Sequence, residues 1–250
     1  MVPNSEIADI GIEEPVAGNY FVAAYPPFSC WQEDRDTGFL NSSAAEPEPL
    51  GLYVHIPFCD IRCLYCYYLS YAQKSPDLID QYIDTLIEEL RVYRDILKRP
   101  LCFVYFGGGT PSLLSAGQIR RLTAGVKALF PWTEAEEISF ECAPKSVTES
   151  KLQALREAGV TRISLGVQQL NNEVLKKNGR VHLVEDVERA YATVRQVGFD
   201  VVNIDLMVGL VGESEASFFE SLDRVLKLQP DSVTIYQLEV PLNTPLYRVL

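Results

Sequence analysis

The sequence has little of what secreted, membrane-spanning or nucleic-acid-binding proteins depend on. Six cysteines in 250 residues are too sparse for a disulfide framework. No apolar run approaches the length needed to span a bilayer. The opening Met-Val-Pro-Asn-Ser-Glu carries neither a basic n-region nor a long apolar h-region, so the expectation is no signal peptide. A soluble, reducing, cytoplasmic setting follows from that expectation. Basic residues are also in deficit: 22 Lys and Arg against 34 Asp and Glu give a formal charge of −12. Phosphate binding needs a basic face, so nucleic acid is not expected as a partner. An anionic small substrate stays open, because a local arginine cluster can override the global balance. What is abundant is apolar side chain, 47% of the chain, enough to bury a large core as one α/β domain or two small ones.

Residues 1–50 differ from the rest, being rich in Pro, Ser, Ala and acidic residues around one aromatic patch, Tyr20 to Trp31. They read as an N-terminal extension, with Asn41–Pro49 as linker and the patch as a covering segment. From residue 51 to 250, strand-like and helix-like segments alternate as one core domain. The expected strands are Leu52–Ile56, Leu101–Phe106, Glu137–Glu141, Arg162–Val167, Asp200–Leu206 and Ser232–Glu239. Each is rich in Val, Ile, Leu and Phe, as strands covered on both faces are. Amphipathic helices are expected over Asp77 to about Lys98, Ser115–Phe130, Thr148–Ala158, Leu183–Val197 and Ser214–Leu228. Gly159 and Gly198 stand where a left-handed residue ends a helix. Right-handed βα units then predict an α/β fold: a parallel sheet, helices outside, curved into a partial (β/α)6 barrel. Six strands leave it open, with a gap wide enough for a large substrate.

Active groups in such a sheet gather at the carboxyl ends of the strands, and the unusual residues fall there. Cys59, Cys63 and Cys66, in Cys-x3-Cys-x2-Cys spacing, follow the first strand. Gly107-Gly-Gly-Thr-Pro-Ser112 follows the second. Glu141 ends the third, Gln168 follows the fourth, Asp205 ends the fifth and Tyr236–Glu239 ends the sixth. Three thiolates can hold three corners of an iron–sulfur cube and leave the fourth iron open. Zinc is an alternative, with His55 the nearest fourth ligand and no second Cys-x2-Cys pair. Inert thiols are another, and spacing alone leaves all three open. Of the remaining cysteines, Cys102 and Cys142 read as small buried hydrophobes, while Cys30 has no assignable role. The glycine run makes either a tight turn or a close backbone approach to a ligand; without a following Gly-Lys-Ser/Thr it is not a P-loop. Glu141, Gln168, Arg180 and Asp205 suit an ammonium, a carboxylate and ribose hydroxyls. Taken singly, each also suits a helix cap or a surface pair.

Four segments together carry a resemblance: Tyr53-Val-His-Ile-Pro-Phe-Cys-x3-Cys-x2-Cys66, Tyr105-Phe-Gly-Gly-Gly-Thr-Pro-Ser112, Ile163-Ser-Leu-Gly-Val-Gln168 and Asn203-Ile-Asp-Leu-Met-x-Gly-Leu210. Over about residues 50–245 the chain resembles the radical S-adenosylmethionine superfamily. Within it, the chain is similar to the oxygen-independent coproporphyrinogen III oxidase (HemN-like) group, which includes the haem chaperone HemW. The resemblance implies two cofactors, a [4Fe–4S] cluster on Cys59, Cys63 and Cys66, and S-adenosylmethionine on the fourth iron. It implies that Tyr53 contacts that ligand, that Tyr65 packs against its adenine, and that Gly108, Gly109 and Thr110 bind its methionine part. Glu141, Gln168, Arg180 and Asp205 are implied around it or a second ligand, with Leu238 on the adenine side.

The implied reaction is reductive cleavage of S-adenosylmethionine to a 5′-deoxyadenosyl radical that takes hydrogen from a substrate. The expected substrate is a tetrapyrrole, and the expected electron donor a low-potential flavodoxin or ferredoxin. In the oxidase a propionate loses carbon dioxide to become vinyl, and Arg62, Arg120, Arg162 and Lys177 are available to meet propionates, although surface charge is the role expected of most of them. Two departures are visible. Tyr68 stands where the oxidase has a further cysteine, a pattern closer to the chaperone branch, and the family's C-terminal domain has no counterpart up to Leu250. Haem delivery without turnover and radical methyl transfer are therefore alternatives to the oxidase reading, with a zinc module remote.

Overall fold

A computed structural model describes residues 50–97, 99–242 and 244–248. The N-terminal extension, including the aromatic patch, Cys30 and the Asn41–Pro49 linker, lies outside the described residues. The described residues begin with β1 (Leu50–Ile56), β2 (Phe58–Cys59) and β3 (Tyr71–Ala72), followed by α1 (Pro76–Ile96). Then come β4 (Leu101–Gly108), α2 (Ala116–Leu129), β5 (Glu137–Cys142), α3 (Glu149–Ala158) and β6 (Arg162–Gln168). The last elements are α4 (Asn172–Lys177), α5 (Val184–Val197), β7 (Val201–Val208), α6 (Glu215–Leu228) and β8 (Ser232–Gln237). Six strands form one sheet in the order β1-β4-β5-β6-β7-β8, and every neighbouring pair is parallel. The expected α/β architecture is the observed one, and β1 and β8 are its two edges.

Local chemistry sets the helix limits. Ser75 caps α1 through Leu78 N–H with Pro76 in the first turn, where a missing donor costs nothing. Ser115 and Gln118 close a reciprocal capping box on α2. Gly159 (φ 86°) and Gly198 (φ 82°) end α3 and α5 in the left-handed conformation, as their placement predicts. Ion pairs such as Arg120–Glu157 and Arg195–Asp231 tie helix to helix or helix to loop in solvent, where each contributes little.

One expectation fails in an informative way. The strands are not apolar on both faces; they alternate. On β1, Leu50, Leu52, Val54 and Ile56 face the helices and join the main core, whereas Tyr53 and His55 face the other way. On β5, Ile138, Phe140 and Cys142 enter the core, leaving Ser139 and Glu141 opposite. Phe106, Phe140, Ile163 and Leu165 are fully buried there, each worth about 1.5–3 kcal/mol relative to exposure. The physical reason is curvature. The convex face packs on helices, while the concave face is a wall free to be polar. That wall carries a continuous network across three strands. Arg162 donates to Ser232 Oγ at 2.9 Å, Ser232 to Asn203 Oδ1 at 2.7 Å, and Asn203 to Ser164 Oγ at 2.9 Å and Asp205 Oδ1 at 2.7 Å. Asp205 is thus corrected. It lies inside β7, three residues short of its end, because the strand runs on through Met207 and Val208.

Candidate functional site

The cysteine loop leaves β1 at Pro57 and is pinned at both ends by backbone. Phe58–Cys59 pairs in parallel with Tyr71–Ala72, so the loop returns to its starting point, and Gln73 N–H donates to Cys59 O at 3.1 Å. Cys59 is buried, Cys63 and Cys66 are partly exposed, and all three are free thiols. Burial pushes the Cys59 thiol up, and neighbouring Cys66 and Cys63 add to the rise, whereas the Thr110 hydroxyl opposes it. That hydroxyl lies 3.6 Å from Cys59 Sγ. Three thiolates brought together repel one another until a cation joins them.

The glycine run is the seat of this loop. Gly109 N–H donates to Ile56 O and Thr110 N–H to Phe58 O, both at 2.8 Å. A Cβ at Gly109 would stand 2.7 Å from Phe58 O and 3.0 Å from Cys59 Sγ. At Gly108, with φ 116°, a Cβ would strike the His55 ring at 2.6 Å. Gly108 and Gly109 are therefore glycine because the cysteine loop and His55 press on β4. That is a contact within the chain, beside the tight turn and the ligand approach that the glycine run suggests in the sequence.

Opposite the loop, Glu141 takes the Tyr105 hydroxyl on Oε1 at 2.6 Å and Gly108 N–H on Oε2 at 3.2 Å. Burial holds the Glu141 and Asp205 carboxyls above their ordinary range; Tyr105 and Gly108 pull Glu141 back, as Ser164 and Asn203 pull Asp205 back. Neutral forms favoured by the fold mean that more protons are bound folded than unfolded. The contribution of these groups to stability is therefore fully present at acid pH, below their unfolded values, and is lost as pH rises through the folded ones. Glu141→Gln is expected to flatten the fall in stability as pH rises above the ordinary carboxylate range, read by urea denaturation across a pH series. An unchanged pH slope contradicts the assignment.

Arg180 reaches the loop from the segment after α4. One terminal nitrogen donates to Cys63 Sγ at 3.3 Å and the other to Gly166 O at 2.6 Å, while Nε is buried with no partner. Gln168 closes β6 rather than following it, with φ 69° and a buried Oε1 that has no partner. A non-glycine residue held left-handed beside a strand irregularity, with an unsatisfied polar atom, is a strained arrangement of the kind that clusters at functional sites.

Tyr65 points inward from the loop. It is buried in a small apolar cluster with Val174, Leu210 and Leu246, with Leu238 packed alongside, because its ring anchors the loop. Tyr53 is 55% exposed, and its hydroxyl meets His55 Nδ1 at 2.8 Å, on the same open wall as Tyr105. The four cations do not converge. Arg120 pairs with Glu157 on the outer helices, Arg62 donates to Cys66 O, and Lys177 lies against Gly212. Arg162 alone is seen on the concave wall. Sequence reasoning also missed Tyr105, Asn178 and His182. Tyr105 had a signal, since it stands two residues before the glycines, on the Glu141 side of an alternating strand.

The residues fit an iron–sulfur cluster with an open corner: three soft thiolates on one pinned loop, donors on two sulfurs, and unpartnered polar atoms beside it. They do not fit zinc. Both His55 ring nitrogens are engaged, by Tyr53 and by Leu69 O at 3.0 Å. Among the described residues no three His, Cys, Asp or Glu side chains converge on a single-ion site.

Comparison with known proteins agrees. The family model of the radical SAM superfamily matches residues 53–225. The chain is 36% identical over 216 residues to the oxygen-independent coproporphyrinogen III oxidase of Salmonella typhimurium, covering 85% of this chain and 47% of that protein. It is 34% identical over 200 residues to the haem chaperone HemW of Bacillus subtilis, covering 79% and 52%. The solved structure of coproporphyrinogen III oxidase (HemN) from Escherichia coli superposes with a TM-score of 0.81 at 34% identity, covering 88% of this chain and 51% of that one. The chain spans about half the length of the curated relatives it matches. It belongs to the radical S-adenosylmethionine superfamily, and its cofactors are a [4Fe–4S] cluster and S-adenosylmethionine.

Proposed function

We propose that this chain is the radical-forming core of an enzyme acting on a tetrapyrrole, in the manner of an oxygen-independent coproporphyrinogen III oxidase. One observation supports it most: the cysteine loop, the Gly107–Thr110 turn, Arg180 and Gln168 meet at one end of a concave wall that is polar and open. Cys59, Cys63 and Cys66 would hold the cluster. Gly108, Gly109, Thr110, Glu141, Gln168, Arg180 and Asp205 would surround the sulfonium ligand, with Tyr53 at the wall and Tyr65 and Leu238 beneath. When bound, the two cofactors supply a one-electron cleavage of a carbon–sulfur bond and a hydrogen abstraction. The protein's part is positioning and exclusion of water. Thr110 and Arg180 steady the sulfurs, and Glu141, restrained by Tyr105 and Gly108, keeps an acceptor at a fixed place beside them. The electron would come from a low-potential flavodoxin or ferredoxin, in the cytoplasm. Among the described residues no helix is long and apolar enough to cross a membrane.

A second reading, haem delivery, is favoured by Tyr68. It stands two residues past Cys66, 53% exposed and stacked on Tyr67 at 4.8 Å between ring centroids, a surface suited to a flat macrocycle. Anaerobic reconstitution with iron and sulfide, then dithionite and S-adenosylmethionine, separates the two. The proposal expects 5′-deoxyadenosine, with coproporphyrinogen III converted to protoporphyrinogen IX. Haem binding with no cleavage supports delivery. Cleavage without conversion removes the oxidase reading and keeps the radical one.

A further inference from the structure

The segment Asn178–His182, between α4 and α5, braces the cysteine loop from a distant part of the chain. Asn178 is fully buried. Its backbone carbonyl accepts Leu64 N–H at 3.2 Å, in the middle of the loop. Its side chain donates to Val174 O and Val211 O and accepts Val211 N–H. Gly179, at φ 73°, lies where a Cβ would meet Leu64 at 3.0 Å. The next residue is Arg180, whose guanidinium reaches Cys63 Sγ. A long cationic side chain is a poor brace unless something fixes its rotamer. His182 does so.

We propose that His182 is a positioning residue. Its buried ring, fixed to the end of β6, presents a lone pair that locks the Arg180 guanidinium against the cluster ligand Cys63 and the adjoining S-adenosylmethionine. This rests on the reading that Cys63 holds the cluster and that Arg180 contacts that ligand. The geometry is specific. His182 is 2% exposed. Nε2 lies 3.0 Å from Val167 O, and a carbonyl only accepts, so Nε2 carries the proton. Nδ1 is then the acceptor, and Arg180 lies 3.3 Å from it. The same guanidinium nitrogen donates to Gly166 O, so β6 holds Arg180 directly and again through His182. Burial, and then the Arg180 charge, push His182 down to about 3, with Asp186 the nearby anion opposing. The ring is neutral at physiological pH, as an acceptor for arginine must be. A charged ring would repel the guanidinium it now holds. Second-shell groups of this kind orient metal ligands, and their loss typically costs about 10–100-fold in metal affinity or activity.

The test uses reconstituted protein and three readouts. With ¹⁵N-labelled histidine and the cluster oxidised, His182 is expected as the neutral Nε2–H tautomer; an Nδ1–H or doubly protonated ring overturns the proposal. His182→Leu is expected to keep its iron and sulfide. Its cluster potential should shift to more negative values as the guanidinium leaves Cys63, and its S-adenosylmethionine affinity should fall about tenfold. His182→Gln keeps an acceptor and a donor and is expected to restore most of both. A leucine variant with potential and affinity unchanged overturns the proposal, as does a glutamine variant no better than leucine. Should the leucine variant fail to fold, the glutamine variant and the tautomer decide. If wild-type protein takes up no cluster, the functional reading fails, and the tautomer result still stands as a measure of the brace.

Discussion

Replacing Cys63 by alanine is expected to abolish the brown absorbance of the reconstituted protein and to reduce bound iron and labile sulfide to background. Cys63 would be the middle ligand of the three, and two thiolates hold a cubane poorly. It is also the sulfur that Arg180 reaches, so its loss leaves the buried guanidinium one acceptor short, with only Gly166 O and His182 Nδ1 remaining. A buried donor that loses a hydrogen-bond partner destabilises its surroundings by about 1–3 kcal/mol. The variant should therefore lose thermal stability as well as the cluster. Cys102→Ala is the control, since that thiol sits far from the loop and donates only to Leu50 O at 3.4 Å. Full iron content in the Cys63 variant contradicts the ligand assignment.

The second large effect is at Gly109, where alanine adds one methyl group. Its Cβ would meet Phe58 O, Ile56 O and Cys59 Sγ at 3.0 Å or less. Two of these are backbone, so no side-chain rotation relieves the clash. The cysteine loop has to lift off β4, breaking the Gly109–Ile56 and Thr110–Phe58 hydrogen bonds. Overpacking of this kind costs about 1–3 kcal/mol, and the displaced loop is expected to lower cluster occupancy. Gly51→Ala, where a Cβ meets nothing within 4 Å, should leave both unchanged. Urea midpoints and iron content compare the pair directly, and equal behaviour of the two variants rules out the seat described here.

The chain states its fold plainly because the relevant signals are local. The α1 pattern of Ile79, Ile83 and Leu90, the serines at 75, 115 and 214, and the glycines at 159 and 198 each act within a few residues. Their elements were placed to within two residues at nearly every helix end. The two-residue strands Phe58–Cys59 and Tyr71–Ala72 were not legible, because neither is long enough to show a period, and each exists only through the other. The six residues of α4 fall below the length at which helical periodicity separates from chance. The concave wall was misread for a different reason. Alternation on β5, with Glu137, Ser139 and Glu141 against Ile138, Phe140 and Cys142, is present in the sequence. The apolar majority masked it.

The site divides in the same way. The cysteines and glycines declare themselves by spacing. Arg180 meets Cys63 across 117 positions, and His182 reaches Val167 across 15; no spacing rule anticipates either. Gln168 was found by motif, but its left-handed backbone and unpartnered Oε1 belong to the folded chain. Asp205 was placed at the strand end because β7 was read two residues too short. The carboxylate instead closes the hydrogen-bonded row of the wall.

The central claim is that three thiolates hold an iron–sulfur cluster whose remaining iron takes a small molecule. Electron paramagnetic resonance of the dithionite-reduced, reconstituted protein, recorded before and after addition of S-adenosylmethionine, tests it most directly. The account predicts a reduced-cluster signal whose g-values change when the nucleotide binds at the open iron. A cluster signal that S-adenosylmethionine leaves unaltered, or protein carrying stoichiometric zinc and no such signal, would contradict it.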